Sequence, residues 1–234
     1  MKKLLTSLLL GLMLVGNVFA QGKSLDATTG FYIYLKGSEV EISELEELNY
    51  AKAEEYNVYS KYHNDEFEWE EQFSKLKENF KNKIKNADMT SEYAIITTAE
   101  FGDYDFKTEG FPVKIEDGTF FPIGKVGNYN NDYDSIFRKT VALSLDDFSS
   151  YNFFKMPKAE AKTFLQSKKS KYGTVDRNIK LLIKYKIADY NSAEYKKFAN
   201  LALNNDYLPV VGIINSIEVY DKNTNKKISE LIKQ

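Results

Sequence analysis

Cysteine is absent from this sequence, and histidine and tryptophan occur once each. Without thiols no disulfide can staple the fold, no cysteine nucleophile exists, and the lipid-modified cysteine that anchors bacterial lipoproteins is excluded. With His63 as the sole imidazole, a histidine-rich zinc centre is excluded and any Ser-His-Asp device must run through that one residue. His63 lies beside the junction of two helical patterns and no nucleophile-elbow motif pairs with it, so it reads as a solvent-exposed linker residue. Repeats, low-complexity tracts and Pro/Gly-rich linkers are also missing, which leaves one compact unit as the expectation.

Long apolar runs are confined to the beginning of the chain. Lys2 and Lys3 precede Leu4 to Val15, a stretch too short to span a bilayer, and Val18, Phe19 and Ala20 end it with residues that signal peptidase accepts. Residues 1–20 therefore read as a cleavable bacterial-type signal peptide, with Gln21 as the mature start. The implied address is periplasmic or secreted, with no stable membrane insertion after the leader is cut. Removing Lys2 and Lys3 leaves 30 basic against 34 acidic residues, a mild net charge that gives no global field for nucleic acid. The charge is uneven: Glu39 to Asp88 holds 14 acidic and 7 basic residues, whereas Lys155 to Lys186 holds 10 basic and 2 acidic. Solvated faces account for both segments, and the second could also meet an anionic partner.

Residues 21–90 read as helical. Ser43 and Glu46 form a capping-box pair opening a helix that the pattern extends to about Tyr62. Trp69, Phe73, Leu76, Phe80, Ile84 and Ala87 keep one face of a second helix, which Asp65 can cap. Residues 91–234 change to a period of two. Val113 to Glu116 and Thr119 to Ile123 flank Asp117 and Gly118, which predicts a hairpin. Val141 to Leu145 and Ile179 to Ile187 alternate as half-wet strands, Pro157 opens a short helix, and Ser192 to Leu203 reads as another. The chain closes on a hairpin whose first strand places Val211, Ile213, Ile217 and Val219 on one face. The fold class expected is α+β, with N-terminal amphipathic helices packed on a mainly antiparallel sheet and additional short helices.

Chemistry-bearing patterns are sparse. Gly118 to Lys125 imitates a phosphate loop, but five residues separate its glycines and Val126 stands where a Ser or Thr is required. Asn128, Asn130, Asp132 and Asp134 alternate as oxygen ligands do around calcium, although the glycine and the twelfth-position glutamate of a calcium loop are missing. Asp103 and Asp105, near Glu100 and Glu109, and the pair Asp146 and Asp147 supply carboxylates that a glycan hydrolase would need a few ångströms apart. Phe111 with Pro112, and Phe120 and Phe121 with Pro122, form a candidate aromatic contact rim. These features point to a non-enzymatic envelope protein that binds another protein or an envelope polymer; the alternative is a carboxylate-dependent hydrolase acting on envelope glycan or peptide. No cofactor other than calcium is implied.

Overall fold

The strand segments close on themselves. In the computed structural model, which describes residues 22–127, 135–193, 195–196 and 206–233, the strands are β1 (Lys23–Ser24), β2 (Glu92–Phe101), β3 (Gly110–Lys114), β4 (Phe120–Gly124), β5 (Thr140–Leu145), β6 (Tyr151–Lys155), β7 (Asn178–Ile187), β8 (Tyr207–Asp221) and β9 (Lys227–Lys233). Antiparallel pairing runs β2–β3–β6–β9–β8–β7 and returns to β2, a closed six-stranded barrel. Helices packed on an open sheet, the expected architecture, are therefore replaced by a barrel with extra strands and about 35% helix. The added strands are β1, parallel to β2, and β5, parallel to β8 and carrying β4 on its far side.

Closure depends on bends that alternation does not reveal. Lys184 pairs with Ser216 but Tyr185 with Ile214, so Asn215 is an extra residue in β8. A bulge of this kind bends the strand and inverts its inward parity. Leu208, Val210 and Ile214 are buried before it, and Ile217 and Val219 after it. The face predicted from Val211, Ile213, Ile217 and Val219 is thereby corrected: Ile213 is exposed, and Val211 packs in a small separate cluster with Ala188. The Asp117–Gly118 turn does form, with Thr119 N donating to Glu116 O at 3.3 Å and Gly118 at φ +73°. Its two arms do not pair as predicted, because β3 is taken by β2 and β6 while β4 is taken by β5. The terminal hairpin of β8 and β9 is present.

Five helices are described: α1 (Ala27–Ser38), α2 (Glu44–Glu54), α3 (Tyr56–Tyr62), α4 (Glu66–Lys85) and α5 (Lys158–Ser167). Asp65 caps α4 by accepting from Phe67 N and Glu68 N, and Phe73, Leu76 and Phe80 on the predicted stripe are buried. Ser43 caps α2 through Glu46 N, but Glu46 does not close the box. Its carboxylate instead accepts from Ser135 Oγ and Ile136 N, both at 3.0 Å, tying α2 to the segment before β5. The single helix expected from Ser43 to Tyr62 breaks at Glu55, whose φ of −125° leaves the helical region. Most of the helix predicted over 192–203 lies outside the described residues, as do the predicted signal peptide over 1–20 and residues 128–134.

Helix α1 falls within residues 21–90, which read as helical, although no cap or apolar stripe marks its bounds and its Phe31, Tyr32, Ile33 and Leu35 carry strand-like propensity. Burial overrides that preference: all four side chains and Gly30 are buried. A Cβ at Gly30 would stand 2.6 Å from Val141 Cγ1, so glycine permits α1 to press against β5. One hydrophobic cluster runs from Phe31, Tyr50 and Phe80 in the helices to Phe101, Phe137 and Ile183 among the strands, with Tyr50 stacked on Phe80 at 4.6 Å. At the barrel's other end α5 acts as a plug. Phe164 packs on Phe101 and Phe111, and Lys168 reaches Asn178 O at 2.8 Å and Asp221 at 3.1 Å.

Candidate functional site

A cleft of about 510 Å³ opens between the first turn of α1 and the last turns of α4. Its floor and walls are built from Thr28, Thr29 and Tyr32 of α1, Tyr50 of α2, and Glu55. Asn79, Asn82, Lys83 and Asn86 enter from α4 and its C-cap, and Lys23 and Asp88 close one side. Residues 79, 82 and 86 step by three and four, which puts their side chains on one helix face. None of these three amides has a hydrogen-bond partner among the described residues, so each presents a donor and an acceptor to the cleft.

The cleft's charges, by contrast, are neutralised from within. Lys83 Nζ contacts Glu54 at 2.7 Å and Glu55 at 3.9 Å, and lies 5.0 Å from the ring centre of Tyr50. Tyr32 donates to Glu54 at 2.5 Å. Burial opposes the charge on Lys83, but its bonds to Glu54 and Tyr50 outweigh that cost and hold the ammonium above its usual value. Burial pushes the Tyr32 phenol well up, and the Glu54 carboxylate adds to it. Asp88 is held well below the usual carboxylate range by the hydroxyl and amide of Ser91, then by Lys23 and the amide of Thr90. Lys23 meets it at 3.1 Å. The result is a near-neutral basin with fixed dipoles, suited to polar groups that carry little net charge.

The residues singled out from sequence alone stand elsewhere. Phe111 is fully buried at the barrel's α5 end and forms no rim. Phe120 packs on Tyr207, and Phe121 half-fills the core beside Phe148. Asn128, Asn130, Asp132 and Asp134 lie outside the described residues. Each of the carboxylates Asp103, Asp105 and Asp147 has its own local partner: Arg177 at 2.5 Å, the amide of Lys107 at 2.7 Å, and Lys233 at 2.8 Å. They do not line the cleft. His63 ends α3 at the surface, with its ring stacked on Tyr59 at 4.5 Å and Nδ1 2.9 Å from Tyr59 O. Among the described residues no cluster of acidic or histidine side chains is arranged to hold a metal ion, and no helix is long and apolar enough to cross a membrane. Sequence reading missed the cleft altogether. The one signal that could have disclosed it was the asparagine ladder on the wet face of α4.

Fold and site together define a mixed helical and strand protein, a barrel with a polar interhelical cleft beside it. Residues 44–167, more than half of the chain, match a family described as Domain of unknown function (DUF4852), and the chain belongs to that family. The matched stretch includes Tyr50, the asparagine ladder and Asp88, while β7 to β9 lie beyond it. No curated protein matches the chain, and no solved structure does.

Proposed function

We propose that the chain is an exported bacterial envelope protein that acts by binding, and that the cleft between α1 and α4 receives a polar ligand of low net charge. The leader-like residues 1–20 support the export, and the soluble form then starts at Gln21. The observation that carries the binding reading is the row of three unpartnered amides facing a basin whose lysines are already neutralised. Amides of this kind serve hydroxyl and peptide groups equally as donors and acceptors, which are the groups of a glycan or peptide segment of the envelope polymer.

The test is calorimetric titration of the mature chain with soluble glycan and peptide fragments released from purified envelope polymer. Expected is saturable binding that falls at least about tenfold in Asn79→Ala/Asn82→Ala, the size of two lost hydrogen bonds. Unchanged fragments should be recovered by mass spectrometry. Affinity indifferent to those two substitutions would overturn the site, and fragments shortened during the titration would favour the hydrolase. N-terminal sequencing of the natural product checks the export separately, with Gln21 as the expected first residue.

A further inference from the structure

Strand β2 is fully flanked at its two ends and bare in its middle. On the edge facing away from β7, Tyr93 and Ala94 pair with β1, and Glu100 and Phe101 pair with β3. Between them Ile95 to Ala99 have no strand partner among the described residues. Phe101 N donates to Arg177 O on the β7 side, and Gly102 N donates to Pro112 O on the β3 side. Strand alternation then aims the main-chain groups of even residues away from β7, which leaves those of Ile96 and Thr98 pointing into the gap. Burial records the same vacancy. Tyr93 and Phe101, inward-facing and flanked on both edges, are buried, whereas Ile95, Thr97 and Ala99 between them are only half-buried.

Two cavities occupy the gap. One, of about 350 Å³, lies against Ala94, Ile95 and Ile96, and the other, of about 240 Å³, against Thr97, Thr98 and Ala99. Both reach β4 on the far side, through Ile123 in the first and Phe121 in the second. Strand β4 pairs only with β5 among the described residues, so it too has one edge without a strand partner there. Tyr185 lines the larger cavity with its ring, while its hydroxyl is buried beyond the reach of solvent.

We propose that this slot takes an extended segment of another polypeptide, added as a strand to β2 and covering Ile95 to Ala99. At about 3.3 Å per residue the gap holds roughly five residues. The segment has no proline at its centre, because Ile96 and Thr98 supply both donors and acceptors. At the β3 mouth Lys114 and Glu116 are both exposed and 3.3 Å apart, a weak pair that can re-partner with charges of either sign, which favours a segment of low net charge. Strand addition of this kind draws affinity from main-chain bonds and selectivity from the side-chain cavities. The proposal stands independently of the α1–α4 cleft.

Random linear dodecapeptides displayed on phage are panned against the mature chain, and the enriched sequence is synthesised and titrated by fluorescence anisotropy. Thr98→Pro removes a donor aimed at the slot while sparing the ladder to β7, and Thr98→Ala keeps that donor. Affinity should fall at least about tenfold with Thr98→Pro, the scale of a buried main-chain bond lost, and persist with Thr98→Ala and with Asn79→Ala/Asn82→Ala. N-methylation at alternate peptide amides should weaken binding as much, which tests the ladder even if Thr98→Pro disturbs folding. Amide exchange at Ile96 and Thr98 should be fast in the free chain and slowed by the peptide. No enriched peptide, affinity insensitive to both Thr98→Pro and N-methylation, or slow exchange at Ile96 and Thr98 in the free chain would each overturn the proposal. So would a concentration-dependent dimer abolished by Thr98→Pro, since the occupant would then be a second copy.

Discussion

Strands β2, β7 and β8 serve two neighbourhoods that differ in how completely they are satisfied. At the end where β3, β6 and β9 complete the barrel, every strand has two partners and α5 covers the opening. At the end where β1, β5 and β4 extend them, the same strands leave one edge bare and two cavities open. The α1–α4 cleft lies on the side of the molecule that contains β1. The contrast teaches that stability and recognition are divided along the strands: the closed end spends its hydrogen bonds internally, and the open end keeps some in reserve.

The largest effect should come from breaking the closed end. Phe111 is fully buried against Phe101, Tyr104 and Phe154, with ring centres 5.1, 5.1 and 5.2 Å away. Phe111→Ala should cost about 3–5 kcal/mol of unfolding free energy, read from urea titration. The same truncation at half-buried Phe121, beside the open edge, should cost roughly 1–2 kcal/mol because less surface is returned to water. Equal losses at the two sites would show that the two ends share their packing, and the division drawn above would fail.

A smaller effect belongs to the plug. The Lys168 side chain is 0% exposed and that of Asp221 only 9%, and they meet at 3.1 Å. Lys168→Ala leaves the Asp221 carboxylate buried without its cation, which should cost roughly 3 kcal/mol. Adding Asp221→Ala should return part of that loss. A double variant less stable than the single one would show that Asp221 is stabilised by its bonds to Asn223 N and Thr224 N rather than burdened by a missing cation.

What the sequence disclosed follows the range of the interactions involved. The caps at Ser43 and Asp65, the stripe on α4 and the terminal hairpin are set by neighbours a few residues apart, and all were readable. Barrel closure rests on pairings such as Phe111 with Phe154 and Phe153 with Ile232, which alternation cannot assign. The Asn215 bulge inverts the face of β8 with no local marker. Helix α1 is held by partners more than a hundred residues away, Phe137 and Val141 among them, so its bounds within the helical segment are not marked in its own residues. The cleft was illegible for the same reason, since Lys23, Tyr32, Tyr50 and Lys83 converge only after folding. His63 as a surface linker residue was legible, because a lone imidazole between helices has few other places to stand.

The smallest effect should sharpen the comparison at β1, the short strand that marks where the bare edge begins. Asp88 accepts from Ser91 Oγ at 2.5 Å, from the amides of Thr90 and Ser91 at 3.0 Å, and from Lys23 at 3.1 Å, so its charge holds β1 to the turn before β2. Its folded value lies well below the ordinary 3.8, which means that its contribution is complete above that ordinary value and declines as pH falls through the folded one. Wild type should therefore exceed Asp88→Asn in urea midpoint by a constant margin from about pH 7 to 5, with the margin shrinking below about pH 4. Over the same acid range, amide exchange at Ala94, which pairs with β1, should quicken while that at Ile183, in the middle of β7, stays slow. A margin that survived undiminished to pH 2 would mean that the turn geometry, rather than the carboxylate's charge, secures β1. The open end of the strands would then be held by shape alone.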